Sequence, residues 1–197
     1  YDTIYHEHIL YLSVKPLNSL FNRFGFEVFD VEEVLIHGGS IRIFVCRKGE
    51  HNITNSVRQI IEKEEKANLF DISRLNKFSE QVQEHKKELR ELLLGIKKTG
   101  KTIVAVSAPA KGMTLLNYCD IDSNIIDFIT EKSPLKIGKY SPGAHIPIFS
   151  DEKLREKKID FALVLAWNFS DEIMENLSDF KNAGGKFIIP IPKPKIV

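Results

Sequence analysis

A chain of 197 residues with 43% hydrophobic and 28% charged residues suits one globular domain, or one domain with a helical appendage. Its 28 basic and 27 acidic residues leave a formal charge of +1, which gives no electrostatic case for nucleic acid or for an anionic membrane surface as partner. The two cysteines, Cys46 and Cys119, support neither a disulfide scaffold nor a cysteine zinc site and read as small buried apolar residues. No apolar run is long enough to span a bilayer, no signal-peptide pattern opens the chain, and there is no initiator Met. The expectation is a cytoplasmic protein, and a piece of something longer.

The chain opens YDTIYHEHILY, with Tyr5, His6, Glu7 and His8 adjacent. Residues 10 to 24 then carry Leu10, Leu17, Leu20, Phe21 and Phe24 at helical spacing, with Pro16 near the start and Gly25 as a stop. FEVFDVEEVLI (26–36) and SIRIFVCRKG (40–49) flank Gly38-Gly39 and predict a β-hairpin. Residues 53 to about 98 read as helical. The second piece carries Ile72, Leu75, Phe78, Val82, Leu89, Leu92, Leu93 and Ile96 along one stripe, with Asp71 as its cap. About 27 residues make a rod of roughly 40 Å, and the sequence assigns it packing rather than chemistry.

After Gly100 short β runs alternate with helical segments. TIVAVSA (102–108), NIIDFITE (124–131), HIPIFS (145–150), DFALVLAW (160–167) and a final KFIIPIP (186–192) are the strands; MTLLNYC and DEIMENLSDFKNAGG are helices. The fold class is therefore α/β: a Rossmann-like, doubly wound, mostly parallel sheet preceded by a β-hairpin and a long helical segment.

In such a sheet ligands sit at the carboxyl ends of strands. Three stretches lie near such ends. In SAPAKG (107–112) the small residues admit a ligand, a helix start favours an anion, and Lys111 adds charge beside Gly112. KIGKYSPGAH (136–145) offers Lys136, Tyr140 and His145 to a polar, phosphorylated ligand. Trp167-Asn168 can stack on and hydrogen-bond a base or sugar. Composition alone fits a tight turn, a surface loop and a core-closing Trp equally well. The Tyr5-His6-Glu7-His8 cluster is, by composition, a solvated polar terminus or a proton-transfer site. No further ligand accompanies its histidines, so no metal site is expected. No G-x-G-x-x-G, P-loop or G-x-S-x-G stretch is present.

Six words in order cover nearly the whole chain: DTIYHEHILYLS, FEVFDVEEVLIHGGSIRIFV, APAKGMTLLNYC, KIGKYSPGAHIPI, LVLAWNFSDEI and GGKFIIPIP. Together they resemble the carboxyl-terminal part of S-adenosylmethionine-dependent nucleotide-sugar C-methyltransferases, of the type that methylates C-3 of dTDP-linked 4-keto-deoxysugars. The resemblance implies that residues 1–50 are the tail of the S-adenosylmethionine-binding domain, 51–100 a helical connector, and 101–197 a Rossmann-like domain facing the nucleotide-sugar. It implies that S-adenosylmethionine, and zinc in an amino-terminal domain, are bound outside this chain, so that the fragment alone is inactive. By the same resemblance His8 is the base, with Tyr5 and Glu7 beside it. Lys111, Gly112, Lys136, Tyr140, His145 and Asn168 face the substrate, a dTDP-sugar. Met113, Ile137 and Ala144 stand where the family usually has Asn, Gln and Thr. Those departures motivate a second reading, a non-catalytic nucleotide-sugar-binding or assembly module.

Overall fold

The structure, a computed structural model, describes residues 1, 3–156 and 158–197, so Asp2 of the opening word lies outside the described residues. The chain divides into two compact units, residues 9–80 on the one hand and residues 1–8 with 81–197 on the other.

In the 9–80 unit, α1 (Val14–Arg23) leads through Gly25, at φ +78°, into an antiparallel pair. β1 (Phe26–Val34) and β2 (Ser40–Arg47) are in register from Phe26↔Arg47 to Val34↔Ser40, with one irregularity between Val28 and Asp30. The expected hairpin is present, although its turn is a short 3-10 segment, Ile36–Gly38, rather than a two-residue link. α2 (Asn55–Lys66) lays Val57 against Val14, Val28 and Val31 to form a small apolar core.

The long α3 (Ile72–Lys98) starts where expected, because the Asp71 carboxylate accepts the Ser73 amide at 2.7 Å. From Gln81 onward it belongs to the larger unit. Its stripe is not uniform. Leu89, Leu93 and Ile96 are buried, whereas Ile72, Leu75 and Phe78 are exposed.

The larger unit is built on β3 (Ile103–Val106), α4 (Ala110–Tyr118), β4 (Ile129–Glu131), β5 (Ile148–Ser150), α5 (Lys153–Glu156), β6 (Phe161–Val164), α6 (Ser170–Asn176), α7 (Ser178–Asn182), β7 (Lys186–Ile189) and β8 (Lys195–Ile196). The strand order is β5-β4-β3-β6-β7-β8, parallel except for β8. The connection through α4 moves outward on one side of β3, and that through α6 and α7 on the other. Right-handed crossovers in opposite directions place helices on opposite faces, which is the doubly wound arrangement. Ile148, Ile129, Ala105, Leu163 and Ile188 form one register row across five strands, and all are 4% exposed or less. Each buried Ile or Leu side chain of this row contributes about 1.5–3 kcal/mol of transfer free energy.

Three elements differ from the sequence reading. Residues 124–128 are a turn rather than strand, because the Ile125 and Ile126 amides both return to the Asp122 carbonyl. The helix after Asn168 breaks at Leu177 into α6 and α7. β7 is followed by the antiparallel β8, so KFIIPIP is not the last strand.

Candidate functional site

The order of strands places a switch point between β3 and β6, where connections diverge and a crevice opens outside their carboxyl ends. Ser107 ends β3 at φ +69°, donating its amide to the Thr130 carbonyl at 2.8 Å. Pro109 precedes α4, and Lys111 and Gly112 lie in its first turn. The Lys111 ammonium stands 4.6 Å from the Trp167 ring centre. Gly112 lets α4 approach β6 closely: a β-carbon there would lie 2.7 Å from Leu165 Cβ. Asn168 is exposed on the 3-10 turn that follows β6.

Lys136 reaches the same edge but is engaged within the fold. Its ammonium donates to the Ala108 carbonyl at 2.9 Å and to Glu131 Oε2 at 3.2 Å. Glu131 organises this corner. Its Oε2 also accepts the Ala108 amide, and its Oε1 accepts the amides of Lys132 and Ser133. Burial pushes its carboxyl up, but the amides of Ser133 and Ala108 and the Lys136 charge outweigh that and hold it below the usual range. Both oxygens are occupied, and Glu131 sits at the end of the second strand, where dinucleotide-binding sheets of this fold carry the carboxylate that accepts from the ribose hydroxyl. With no glycine fingerprint in the turn after β3 either, the residues of this sheet do not fit S-adenosylmethionine. On the opposite face from α4, a cavity of about 320 Å³ is lined by Ser107, Glu131, Asp151, Ala166, Phe169 and Asn176 among others. Ser107, from the SAPAKG stretch, and Ala166, before Trp167-Asn168, line it, whereas Lys111, Gly112, Lys136 and Asn168 do not.

Tyr140 and His145 lie elsewhere. The loop from Lys136 folds back as an edge ribbon, with Tyr140 bridged to Pro147. Asn117, in the last turn of α4, donates to the Pro142 carbonyl at 3.1 Å. Gly143 is required at φ +76°, since a β-carbon there would overlap the Asn117 side chain. Tyr140 and His145 are exposed, His145 at φ +50°.

The opening segment reaches that same turn of α4. The Tyr1 ring packs on Tyr118 with centroids 5.2 Å apart, and its hydroxyl meets His85 Nδ1 at 2.8 Å. The Ile4 amide then donates to the Tyr1 carbonyl and the His8 amide to the Tyr5 carbonyl. The rings of Tyr5 and His8 lie 4.1 Å apart. His8 is exposed, and its Nδ1 lies 2.8 Å from the Thr3 carbonyl. A carbonyl only accepts, so Nδ1 carries a proton, and in the neutral ring the lone pair lies on Nε2. Glu7 is directed at His6, 3.8 Å away, rather than at His8, and both are exposed.

The candidates therefore fall into two groups. Lys111, Gly112, Lys136 and Asn168 gather at the amino end of α4, while Tyr140 and His145 lie on the loop that its carboxyl end holds, where Tyr1 also packs. A helix of nine residues separates these ends by about 13 Å. Sequence reasoning missed Glu131, Tyr1 and His85. The one available signal for His85 was its place on the apolar stripe of α3, between Val82 and Leu89.

Among the described residues no group of three or more His, Cys, Asp or Glu side chains is placed to hold a metal ion. No helix of the described residues is long and apolar enough to cross a membrane. Residues 35–192 match a family model described as C-methyltransferase C-terminal domain. The chain is also 35% identical, over 198 aligned positions, to C-methyltransferase NovU of Streptomyces niveus; the alignment covers 100% of this chain and 47% of that protein. The chain thus spans about half the length of the curated relative it matches.

Proposed function

Because the chain belongs to the family of C-methyltransferase C-terminal domains, we propose that it is the carboxyl-terminal part of an S-adenosylmethionine-dependent C-methyltransferase acting on a dTDP-linked keto-deoxysugar. His8 Nε2 removes a proton from the carbon beside the ketone, and the electron pair of that C–H bond passes to the carbonyl oxygen as an enolate. The carbon so activated is the nucleophile for methylation. S-adenosylmethionine, held by the portion of the protein outside this chain, supplies the electrophilic methyl group. Residues 1–50 extend that methyl-donor domain, residues 51–100 connect it, and residues 101–197 face the nucleotide-sugar. Zinc belongs to a further amino-terminal domain.

The observation that carries this reading is the orientation of His8. A base must present an unprotonated nitrogen within about 3 Å of the C–H, and in the neutral ring the Thr3 carbonyl leaves the lone pair on Nε2. Tyr5, whose ring lies against that of His8, is the donor assigned to the developing oxyanion. Lys111 offers a positive charge to the pyrophosphate, alongside Gly112, Asn168 and the partly engaged Lys136, while Tyr140 and His145 border the sugar. The reading as a non-catalytic module rests on lost polar groups, and two of these positions favour apolar residues for packing. Met113 is buried in the main core and Ala144 packs against it.

In the full-length protein, His8→Asn is expected to lower turnover by about 10²- to 10⁴-fold, with sugar-nucleotide affinity by calorimetry unchanged. Full activity in that variant refutes the assignment of the base.

A further inference from the structure

His85 lies on α3 and is 7% exposed, yet nothing in a methyl transfer calls for a histidine there. Both its ring nitrogens are used. Nε2 lies 2.6 Å from the Pro190 carbonyl, at the end of β7, and must donate to it. In the neutral ring Nδ1 is therefore the acceptor, and the Tyr1 hydroxyl, 2.8 Å away, donates to it. The polarity of this relay is set by the Pro190 carbonyl, which cannot donate. The Tyr1 ring also meets the His85 ring edge-on at 5.5 Å and packs on Tyr118. Two apolar side chains would fill the same space; the hydrogen-bonded pair in addition fixes the rotation of Tyr1 about its side-chain bonds.

Tyr1 begins the turn that ends in His8. Its carbonyl accepts the Ile4 amide at 3.0 Å, and the enclosed Thr3 carbonyl accepts both the Tyr5 amide and the proton on His8 Nδ1. The group that sets the tautomer of His8 thus stands two residues from a side chain clamped to the core. His8 itself is exposed, and an imidazole free in water favours the proton on Nε2, the wrong nitrogen for a base working through Nε2.

We propose that the Tyr1–His85 hydrogen bond is a latch that positions the catalytic segment, so that Tyr1 and His85 are positioning residues holding His8 with Nε2 unprotonated. The consequence for the reaction rests on His8 being the base; the structural coupling does not.

The test uses the full-length protein labelled with ¹⁵N-histidine, in which multiple-bond ¹⁵N–¹H spectra report the tautomer of each imidazole. Tyr1→Phe keeps the ring and deletes the hydroxyl. In the parent protein His8 is expected as the Nδ1–H form, and in Tyr1→Phe as the mixture dominated by Nε2–H. The variant is further expected to slow exchange of the substrate's ketone-adjacent proton with deuterated solvent by about tenfold, with the KM for sugar nucleotide within about twofold. His85→Leu should reproduce both effects. A merely structural role lowers thermal stability and leaves the tautomer of His8 in place. If His8 stays Nδ1-protonated in both variants and exchange keeps its parent rate, the latch is overturned. Undiminished turnover in His8→Asn overturns the base instead, and leaves the spectroscopic result for the latch standing.

Discussion

Glu131→Gln tests how the ligand-facing corner of the sheet is held. The carboxylate accepts from four donors: the Ala108 amide at 2.9 Å and the Lys136 ammonium at 3.2 Å on one oxygen, the Lys132 and Ser133 amides at 2.9 and 3.1 Å on the other. Glutamine keeps one acceptor oxygen and turns an NH₂ group toward the other two donors. The Glu131 side chain is 13% exposed, so the two abandoned donors are poorly compensated by water. At 1–3 kcal/mol for each of the two unsatisfied groups the loss is about 2–6 kcal/mol. Trp167, the one tryptophan in the chain, is buried in the same unit, so urea unfolding followed by its fluorescence reports that unit. With a slope of about 2 kcal/mol per molar urea, the midpoint should fall by about 1–3 M at neutral pH. The pH dependence supplies the sign. The Glu131 carboxyl titrates below its ordinary value of 4.5 in the folded state, so its stabilisation is complete above that value and is lost as pH falls through the depressed one. The gap between parent and variant should therefore close on acidification. A gap that is absent at pH 7, or that keeps its size at pH 3, refutes the reasoning.

Gly112→Val puts a branched side chain where a β-carbon already meets Leu165 Cβ at 2.7 Å and Pro109 Cδ at 3.3 Å. Overpacking between α4 and β6 should cost about 1–3 kcal/mol in the same urea assay. Asp30→Ala acts in the 9–80 unit, where Asp30 Oδ1 accepts the Thr54 and Ser56 hydroxyls and the Val31 amide and ties the start of α2 to β1. The Ser56 hydroxyl, then that of Thr54, holds this carboxyl below its ordinary range. Its contribution is present at neutral pH and lost as pH falls through the depressed value. Hydrogen exchange by mass spectrometry should show faster exchange over residues 55–61 in the variant at pH 7, with β3 and β6 unchanged.

The amino-acid sequence alone determined the elements whose signals are local. Hydrophobic alternation around Gly38-Gly39 specified the hairpin, Asp71 marked the start of α3, and apolar runs split by helical periods implied a doubly wound parallel sheet. A family motif made His8, Tyr5 and Glu7 legible as candidates. Local signals also misled where polar side chains override them. Asp122 accepts the Asn124 amide and turns a stretch that looks like strand into a bend before β4, and the apolar look of Ile72, Leu75 and Phe78 says nothing of which half of α3 is covered. Tertiary structure alone decided the order of strands, the separation of Lys111 from His145 at opposite ends of α4, and the occupation of Lys136 by Glu131. It also decided the pairing of Tyr1 with His85 across 84 residues. Such pairings leave no periodic trace in either segment, because each side chain is placed by a backbone that a different part of the chain holds.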